Sequence, residues 1–249
     1  DTMFTYMSVE NILFSNDGFG QHLAAEPMFN DLVDQGELIQ EAMKYYANIL
    51  TPFSTFVAKK IEEILSFNLP LDIICPSHGV IWRKDPVQIV NKYLEWANNY
   101  QENQITIIYD SMWHGTRRMA EYIAQGISET DKDVTIKIFN ADHKDKNDIL
   151  TEVFKSKAVL VGSPTINKGI SYAIMGLLEM MKGLAFKNKK GAGFGTYGWS
   201  GESAKLISEE LGKAGFAVVS EPIKELWNPD EDALNRCKEY GKNFVEKIK

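Results

Sequence analysis

The chain has few of the features that mark secreted, membrane-bound or nucleic-acid-binding proteins. Only two of its 249 residues are cysteines, Cys75 and Cys237, so there is no disulfide framework and no C-x-x-C pair. No apolar run approaches the ~20 residues of a membrane span, and no signal peptide is visible. The 34 acidic residues outnumber the 27 basic ones, and a net charge of −7 argues against a nucleic-acid surface. We therefore expect a cytoplasmic protein that binds neither nucleic acid nor membranes.

The second part of the chain alternates regularly between strand-like and helix-like patterns. Strands are predicted at 105–109, 134–139, 158–161, 191–195 and 216–219, and helices at 117–128, 146–155, 171–182, 202–213 and 230–248. Five strands that alternate with five helices predict an α/β fold with a doubly wound, five-stranded parallel sheet covered on both faces. Ligands of such sheets bind beyond the carboxyl ends of the strands, where the strand order reverses.

The first hundred residues follow a different pattern, with short paired strands and longer helices. We expect strands at 5–7, 12–14 and 71–75, and helices near 28–48, 52–67 and 86–97. A polar run at 98–104 is the best boundary, which predicts one domain at 1–103 and a second at 104–249. Because Asp1 lies next to a strand-like run, we expect further residues upstream; a processed but complete chain is the alternative.

The strand at 105–109 ends abruptly at Asp110 and is followed by a turn of small, polar and aromatic residues. The turn consists of Ser111, Met112, Trp113, His114, Gly115 and Thr116, and a helical pattern starts at Arg117. In a strand–turn–helix unit, the free N–H groups of the turn and of the helix N-terminus bind anions. This turn therefore predicts a phosphate site, although Ser- and Gly-rich turns of this kind also occur without a ligand.

Two later strands of the same sheet end in comparable loops. One loop contains Ser163, Pro164, Thr165, Ile166 and Asn167, and the other contains Thr196, Tyr197, Gly198, Trp199 and Gly201. Glycines let the backbone approach a flat ring, and the aromatic side chains of Trp113, Tyr197 and Trp199 can cover that ring. Three such loops on one sheet edge predict that the phosphate belongs to FMN. For His114 two roles stay open, a contact with the phosphate or flavin and a solvated loop residue.

Two polar residues stand out in the first domain, each in a loop that follows a predicted strand. Asp17 and His78 would supply a carboxylate and an imidazole, which suit iron, manganese or zinc. Taken alone, these positions indicate a metal site only weakly, because an Asp in Asn-Asp-Gly is usually a turn residue and a lone His is more often structural.

The sequence resembles the flavodiiron proteins, also called A-type flavoproteins. Residues 105–249 resemble their flavodoxin-like domain through YDSMWHGT at 109–116, VGSPTIN at 161–167 and FGTYGWSG at 194–201. Ordinary flavodoxins have a Thr-x-Thr-Gly-x-Thr phosphate turn, from which Trp113 and His114 depart in the way flavodiiron proteins do. The resemblance continues upstream through LFSNDGFGQH at 13–22, YYANILTPFS at 45–54 and PSHGVIWR at 76–83.

The resemblance implies a metal centre in the first domain. It makes residues 1–103 the C-terminal portion of a metallo-β-lactamase-like αββα domain, with Asp17 as the metal-bridging carboxylate and His78 as the last histidine ligand of a di-iron site. His22 is interpreted as structural, because the family pattern does not make it a ligand. The family's His-x-Glu-x-Asp-His cluster and one further histidine have no counterpart among the 249 residues. Either these ligands come from upstream residues or another chain, or this chain is metal-free and catalytically incomplete.

The resemblance also implies a function. Flavodiiron proteins are oxidoreductases that take electrons from a rubredoxin-like donor through FMN to a di-iron site, where NO is reduced to N2O or O2 to water. They work as head-to-tail homodimers that place each flavin beside the partner's metals. We therefore expect an NO or O2 reductase that is incomplete in this chain alone. Two alternatives stay open, an FMN electron-carrier module without its own di-iron catalysis and an interaction module without a cofactor.

Overall fold

The computed structural model describes residues 3–249, which form two compact units that divide between Tyr100 and Gln101. Residues 1 and 2 of the predicted first domain lie outside the described residues. The predicted boundary, between 103 and 104, lies three residues after the observed one. The difference arises because the last residues of the polar run belong to a strand of the second unit, which starts at Glu102. Within residues 3–249 no helix is both long enough and apolar enough to cross a bilayer.

The first unit contains a three-stranded sheet and three α-helices. Its elements are β1 (Thr5–Met7), β2 (Ile12–Asn16), α1 (Gln35–Tyr45), α2 (Ser54–Ser66), β3 (Ile73–Pro76) and α3 (Val87–Ala97). The sheet order is β1-β2-β3, in which β1 is antiparallel and β3 parallel to β2. Because β2 and β3 are parallel neighbours, the loops that follow them start at the same edge of the sheet.

The predicted helix at 28–48 is wrong in its first seven residues. Met28 and Asn30 instead pair with Ile81, and the buried Asn30 side chain accepts hydrogen bonds from the backbone N–H groups of residues 83 and 84. The helix begins only after Asp34, whose carboxylate caps it by accepting from the N–H of Glu37 at 2.8 Å. A buried asparagine with long-range partners therefore outweighs the local helical pattern.

The core of the first unit is built largely from aromatic side chains. Tyr46, Tyr93 and Trp96 are fully buried, and their ring centroids lie 5.1 to 5.7 Å apart. The Tyr93 hydroxyl donates to the carbonyl of Gly20, and the Trp82 indole N–H donates to that of Phe19. These two bonds hold the loop after β2, which contains Asp17, against the core.

The second unit is an open, doubly wound parallel sheet with helices on both faces. Its elements are β4 (Glu102–Tyr109), α4 (Gly115–Thr130), β5 (Thr135–Asn140), α5 (Lys146–Lys155), β6 (Ser156–Gly162), α6 (Tyr172–Leu184), β7 (Lys190–Tyr197), α7 (Ser203–Lys213), β8 (Ala217–Val218), β9 (Ile223–Leu226) and α8 (Glu231–Ile248). The strand order is β5-β4-β6-β7-β8, with β9 also paired to β7, and all pairs are parallel. From β4 the chain first adds β5 on one side and then β6, β7 and β8 on the other, so the strand order reverses at β4. This doubly wound arrangement confirms the predicted fold class.

The predicted fifth strand at 216–219 is wrong in its extent, and the sheet has six strands instead of five. β8 has two residues, and β9 pairs with the upper part of β7, at Phe194–Tyr197, while β8 pairs only with its lower part. Residues 219–222 separate the two short strands, and Ser220, Glu221 and Pro222 among them interrupt the apolar pattern. The split brings the end of β9, and not of β8, to the carboxyl edge of the sheet.

Helices α4 and α8 pack so closely that glycine is required where they meet. A Cβ on Gly126 would lie 1.9 Å from the carbonyl oxygen of Lys238, and a Cβ on Gly241 would lie 2.1 Å from that of Ile123. Both obstacles are backbone atoms, which side-chain rotation cannot move.

We predict that Gly126→Ala lowers the free energy of unfolding by roughly 2–4 kcal/mol, because the helices must separate to admit the methyl group. Gly176→Ala is the matched control: Gly176 also lies inside a helix, but a Cβ there would have no neighbour within 4 Å. This control gains helix propensity and is expected to stabilise by roughly 0.5–1 kcal/mol. Urea unfolding checks both variants, and equal effects of the two would contradict the close-packing account.

Lys189 is buried directly before β7, at the edge of the sheet opposite to the predicted site. It is 2% exposed, and its ammonium group donates to the carbonyl of Phe154 at 2.5 Å. Burial lowers the pKa of Lys189 from 10.5 to about 7. The folded protein therefore releases this proton about three and a half pH units before the unfolded chain does.

We predict that Lys189 makes a contribution to the free energy of unfolding that rises with pH between about 7 and 10.5, because the unfolded state binds the Lys189 proton over that window and the folded state does not. The slope from one such group is at most about 1.4 kcal/mol per pH unit. Lys189→Met should remove it, whereas Lys205→Met, at a side chain that is 78% exposed, should not. Parallel pH profiles for wild type and Lys189→Met would rule the effect out.

Candidate functional site

The turn after β4 is built as an anion-binding loop. The Asp110 N–H donates to the carbonyl of Gly162 at 3.0 Å, and the Asp110 carboxylate accepts from the N–H of Ser111 at 2.7 Å. Helix α4 then begins at Gly115, with His114 at the cap position and no side-chain cap. Because the N–H groups of a first helical turn have no acceptor within the helix, those of α4 are available to an anion.

Ser111 provides the clearest test of whether the loop fits a phosphate. Its hydroxyl oxygen is buried and, within residues 3–249, has no hydrogen-bond partner. A buried hydroxyl without a partner destabilises a folded protein by about 1–3 kcal/mol. A phosphate oxygen at the turn would satisfy this hydroxyl, so the residues present fit the phosphate end of FMN.

His114 has a backbone conformation that favours glycine. Its φ of 64° lies in the left-handed region, which costs a non-glycine residue about 1–2 kcal/mol. In the Thr-x-Thr-Gly-x-Thr turn of ordinary flavodoxins, this position is the glycine. The strained residue therefore lies within the phosphate turn, and the exposed side chain of His114 is compatible with both predicted roles.

The three predicted loops meet at the carboxyl edge of the sheet. The hydroxyl groups of Thr116, at the start of α4, and of Thr196, at the end of β7, lie 2.9 Å apart. The Thr196 carbonyl accepts from the N–H of Thr165 at 2.8 Å. Thr196 therefore joins the loops after β4, β6 and β7.

The loop after β6 holds itself together with its own hydroxyl groups. The Ser163 hydroxyl donates to the carbonyl of Pro164 and accepts from the N–H of Ser171, and the Thr165 hydroxyl donates to that of Ser203. Both groups are thus engaged within the loop, and Pro164 is buried. Ile166 and Gly169 exchange backbone hydrogen bonds around a two-residue turn that exposes Asn167, so the backbone and Asn167 are what this loop offers to a ligand.

Aromatic and apolar side chains are exposed around the same edge. Trp199 is 98% exposed, Trp113 70% and Met112 61%, and Tyr197 is half-buried with the Lys224 ammonium 5.3 Å from its ring centroid. Large exposed side chains of this kind beside an anion-binding turn are typical of a surface that covers an aromatic ligand.

Two glycines shape the loop after β7. A Cβ on Gly198 would meet no atom within 4 Å, so the space above it is open. Gly201 has a φ of 77°, and a Cβ there would lie 2.9 Å from the Tyr197 ring, so only glycine fits.

A fourth segment lies at this edge that the sequence interpretation missed. Trp227 follows β9 directly, is 53% exposed, and donates its backbone N–H to the carbonyl of Tyr197 at 2.8 Å. The available sequence signal was a tryptophan between a β-like run and the turn residues Asn228-Pro229-Asp230. It was missed because the short strand β9 was not predicted.

In the first unit, Asp17 and His78 lie together as predicted. They follow the parallel neighbours β2 and β3, and His78 Nε2 is 3.2 Å from Asp17 Oδ1. Both side chains are 46% exposed, and the Ser77 hydroxyl donates to the same carboxylate oxygen at 3.4 Å. The pair can supply a carboxylate and an imidazole to one metal ion.

The pair opens onto a cavity of about 660 Å³ that is otherwise mostly apolar. The ring centroid of His22 lies 4.8 Å from that of Tyr45 and 5.6 Å from that of His78. Burial and the neighbouring Asp17 carboxylate raise the pKa of Tyr45. His22, Tyr45 and Lys60 are polar residues that line this cavity beside the pair.

The described residues do not complete a metal centre. Within residues 3–249 no group of three or more His, Cys, Asp or Glu side chains is placed to hold a metal ion. A pair of iron ions needs more ligands than Asp17 and His78 can supply. The first unit therefore fits part of a di-iron site but not the whole of it.

Comparisons with known proteins place these sites in a family. The flavodoxin family model matches residues 107–241. The anaerobic nitric oxide reductase flavorubredoxin of Escherichia coli strain K12 is 54% identical over 245 residues, which cover 98% of this chain and 51% of that protein. The chain thus spans about half the length of the curated relatives that it matches.

Solved structures similar to this chain indicate the same family. The rubredoxin oxygen:oxidoreductase of Desulfovibrio gigas superposes with a TM-score of 0.94 at 36% identity, covering 100% of this chain and 62% of that one. The flavodiiron protein of Giardia intestinalis gives a TM-score of 0.91 at 29% identity, covering 98% and 60%. The predicted family and the predicted flavodoxin-like fold are confirmed. The chain belongs to the flavodiiron protein family, whose cofactors are FMN and a di-iron centre, and residues 107–241 are its flavodoxin domain.

Proposed function

We propose that this chain forms the FMN site and part of the metal site of an oxidoreductase that reduces nitric oxide or dioxygen. The observation that supports FMN binding most directly is the buried Ser111 hydroxyl, which has no partner within residues 3–249 and lies at the uncapped start of α4. The choice of substrates rests on relatives that are named as a nitric oxide reductase and as an oxygen oxidoreductase.

Each part of the site has a separate task. The N–H groups at the start of α4 and the Ser111 hydroxyl bind the phosphate, and the loops after β6 and β7 hold the isoalloxazine ring. Trp113, Tyr197 and Trp199 cover the ring and exclude water from it. Bound FMN accepts and passes on electrons one at a time.

The donor and the assembly follow from the same relatives. A rubredoxin-like protein is the proposed electron donor, since the names of the Escherichia coli and Desulfovibrio gigas relatives both refer to rubredoxin. We further propose a cytoplasmic, head-to-tail homodimer. Asp17 and His78 are the ligands that this chain contributes to iron, and the remaining ligands come from residues that are not among these 249.

A second candidate function is an FMN electron carrier without its own di-iron catalysis. It is favoured by the finding that, in the part of the chain described here, Asp17 and His78 have no third ligand beside them. The Asp17–His78 pair would then be a structural contact, and the cavity beside it would have no catalytic role.

We predict opposite effects of Ser111→Ala on folding and on cofactor binding. Removing a buried hydroxyl without a partner should stabilise the FMN-free protein by about 1 kcal/mol, whereas losing its bond to a charged phosphate should weaken FMN binding about tenfold or more. Ser171→Ala is the matched control, because the Ser171 hydroxyl is also buried without a partner but lies outside the phosphate turn. Thermal unfolding and FMN titration measure the two effects; unchanged FMN affinity in Ser111→Ala would refute the phosphate assignment.

An assay with reduced rubredoxin separates the two candidate functions. For the reductase, we predict that the protein in which this chain is joined by the residues that supply the remaining ligands contains iron, consumes NO or O2, and loses turnover in Asp17→Asn and His78→Ala while FMN stays bound. If that same protein is iron-free, and rubredoxin reduces its FMN with no consumption of NO or O2, the carrier is established instead. Glu10→Gln, on the exposed turn between β1 and β2, is the control for a lost surface carboxylate.

A further inference from the structure

The segment between β9 and α8 is fixed against the phosphate turn from both ends. At its start, the N–H of Trp227 donates to the carbonyl of Tyr197, in line with the pairing of Leu226 with Tyr197 in the sheet. At its end, the Asp230 carboxylate caps α8 by accepting from the N–H of Ala233 at 2.8 Å. The residues between these two anchors therefore have a defined position at the carboxyl edge.

The segment packs directly on the phosphate turn. A Cβ on Gly115, the first residue of α4, would lie 3.3 Å from Cδ1 of the Trp227 indole and 3.4 Å from Cδ of Pro229. The same position is 3.2 Å from the methyl group of Thr196. Gly115 thus fits tightly between Thr196 and the segment, and the indole lies beside the residues that form the turn.

Arg118 connects the segment to the helix that begins at the phosphate turn. Its guanidinium donates to the side-chain oxygen of Asn228 at 3.3 Å and to the carbonyl of Pro229 at 2.9 Å. Arg118 lies in the first turns of α4, and its own N–H donates to the carbonyl of His114. The guanidinium therefore sets the distance between the indole and the start of α4.

Despite these restraints, about half of the indole is exposed. Trp227 is 53% exposed, although the atoms on either side of it are held by hydrogen bonds. A restrained, half-exposed tryptophan at the rim of an anion-binding turn has a surface that a ligand with a short polar chain can cover. The same ligand would contact Ser111 and the start of α4.

We propose that Trp227, positioned by Arg118, is a fourth wall of the FMN site and contacts the ribityl phosphate end of the cofactor. The assignment rests on the proposed FMN site and extends it by a residue outside the three loops. The indole is assigned to the phosphate end, and not to the ring, because it packs on Gly115, the first residue of α4. Arg118 is a positioning residue, since it acts through the segment and not on the ligand.

The proposal predicts a loss of affinity that depends on the phosphate. Titrating the FMN-free protein, we expect Trp227→Ala to weaken FMN binding about tenfold, equivalent to ~1.4 kcal/mol, and to change riboflavin binding less than twofold. Trp227→Phe should restore most of the affinity, because a ring still covers the ribityl phosphate. Arg118→Met should weaken FMN binding to an intermediate degree with the indole intact. Val218→Ala, on the other short strand that pairs with β7, is the control and should leave FMN binding unchanged.

The outcomes separate this inference from the function on which it rests. If wild type binds FMN and Trp227→Ala binds it equally well, or loses FMN and riboflavin to the same extent, Trp227 is not a wall at the phosphate end. If wild type does not bind FMN, the proposed function itself fails. Should Trp227→Ala fail to fold, as judged by thermal unfolding, Trp227→Leu and Trp227→Phe give the same test, because a branched aliphatic chain fills the space without covering the ligand as a ring does.

Discussion

The second unit depends on one hydrogen-bonded residue, Thr196, at the end of β7. Its hydroxyl lies 2.9 Å from that of Thr116, and its carbonyl accepts from Thr165, so the loops after three different strands meet at a single side chain and its peptide. Thr196 is 4% exposed, and a buried hydroxyl pair of this kind is costly to break. The relative positions of the phosphate turn and the two ring-binding loops follow from it.

Around Thr196, the protein keeps features that lower its own stability. His114 has a left-handed backbone, and the Ser111 hydroxyl is buried without a partner in the described chain. Each costs about 1–3 kcal/mol. Both lie in the same six-residue turn, at the uncapped start of α4. Strain and an unsatisfied group in one place are expected where a ligand supplies the missing interactions.

Most of the fold could be predicted from the sequence, because long alternating patterns such as those at β4 and α4 reflect burial in a sheet covered on both faces. The failures have local causes. The buried Asn30 replaces helical bonds with long-range ones, and Pro222 divides a strand into pieces too short to show a period. Trp227 was missed for the same reason. Contacts such as Asp17 with His78 join residues far apart in the chain. Their positions after predicted strands made both residues candidates, and the resemblance to a family made them ligands of one site.

A crystal structure of the chain grown with FMN tests the central claim most directly. The account predicts that the phosphate lies within hydrogen-bonding distance of the Ser111 hydroxyl and of the first N–H groups of α4, with the isoalloxazine ring between the loops after β6 and β7. A flavin bound elsewhere, or a Ser111 hydroxyl that still has no partner with FMN bound, would contradict it.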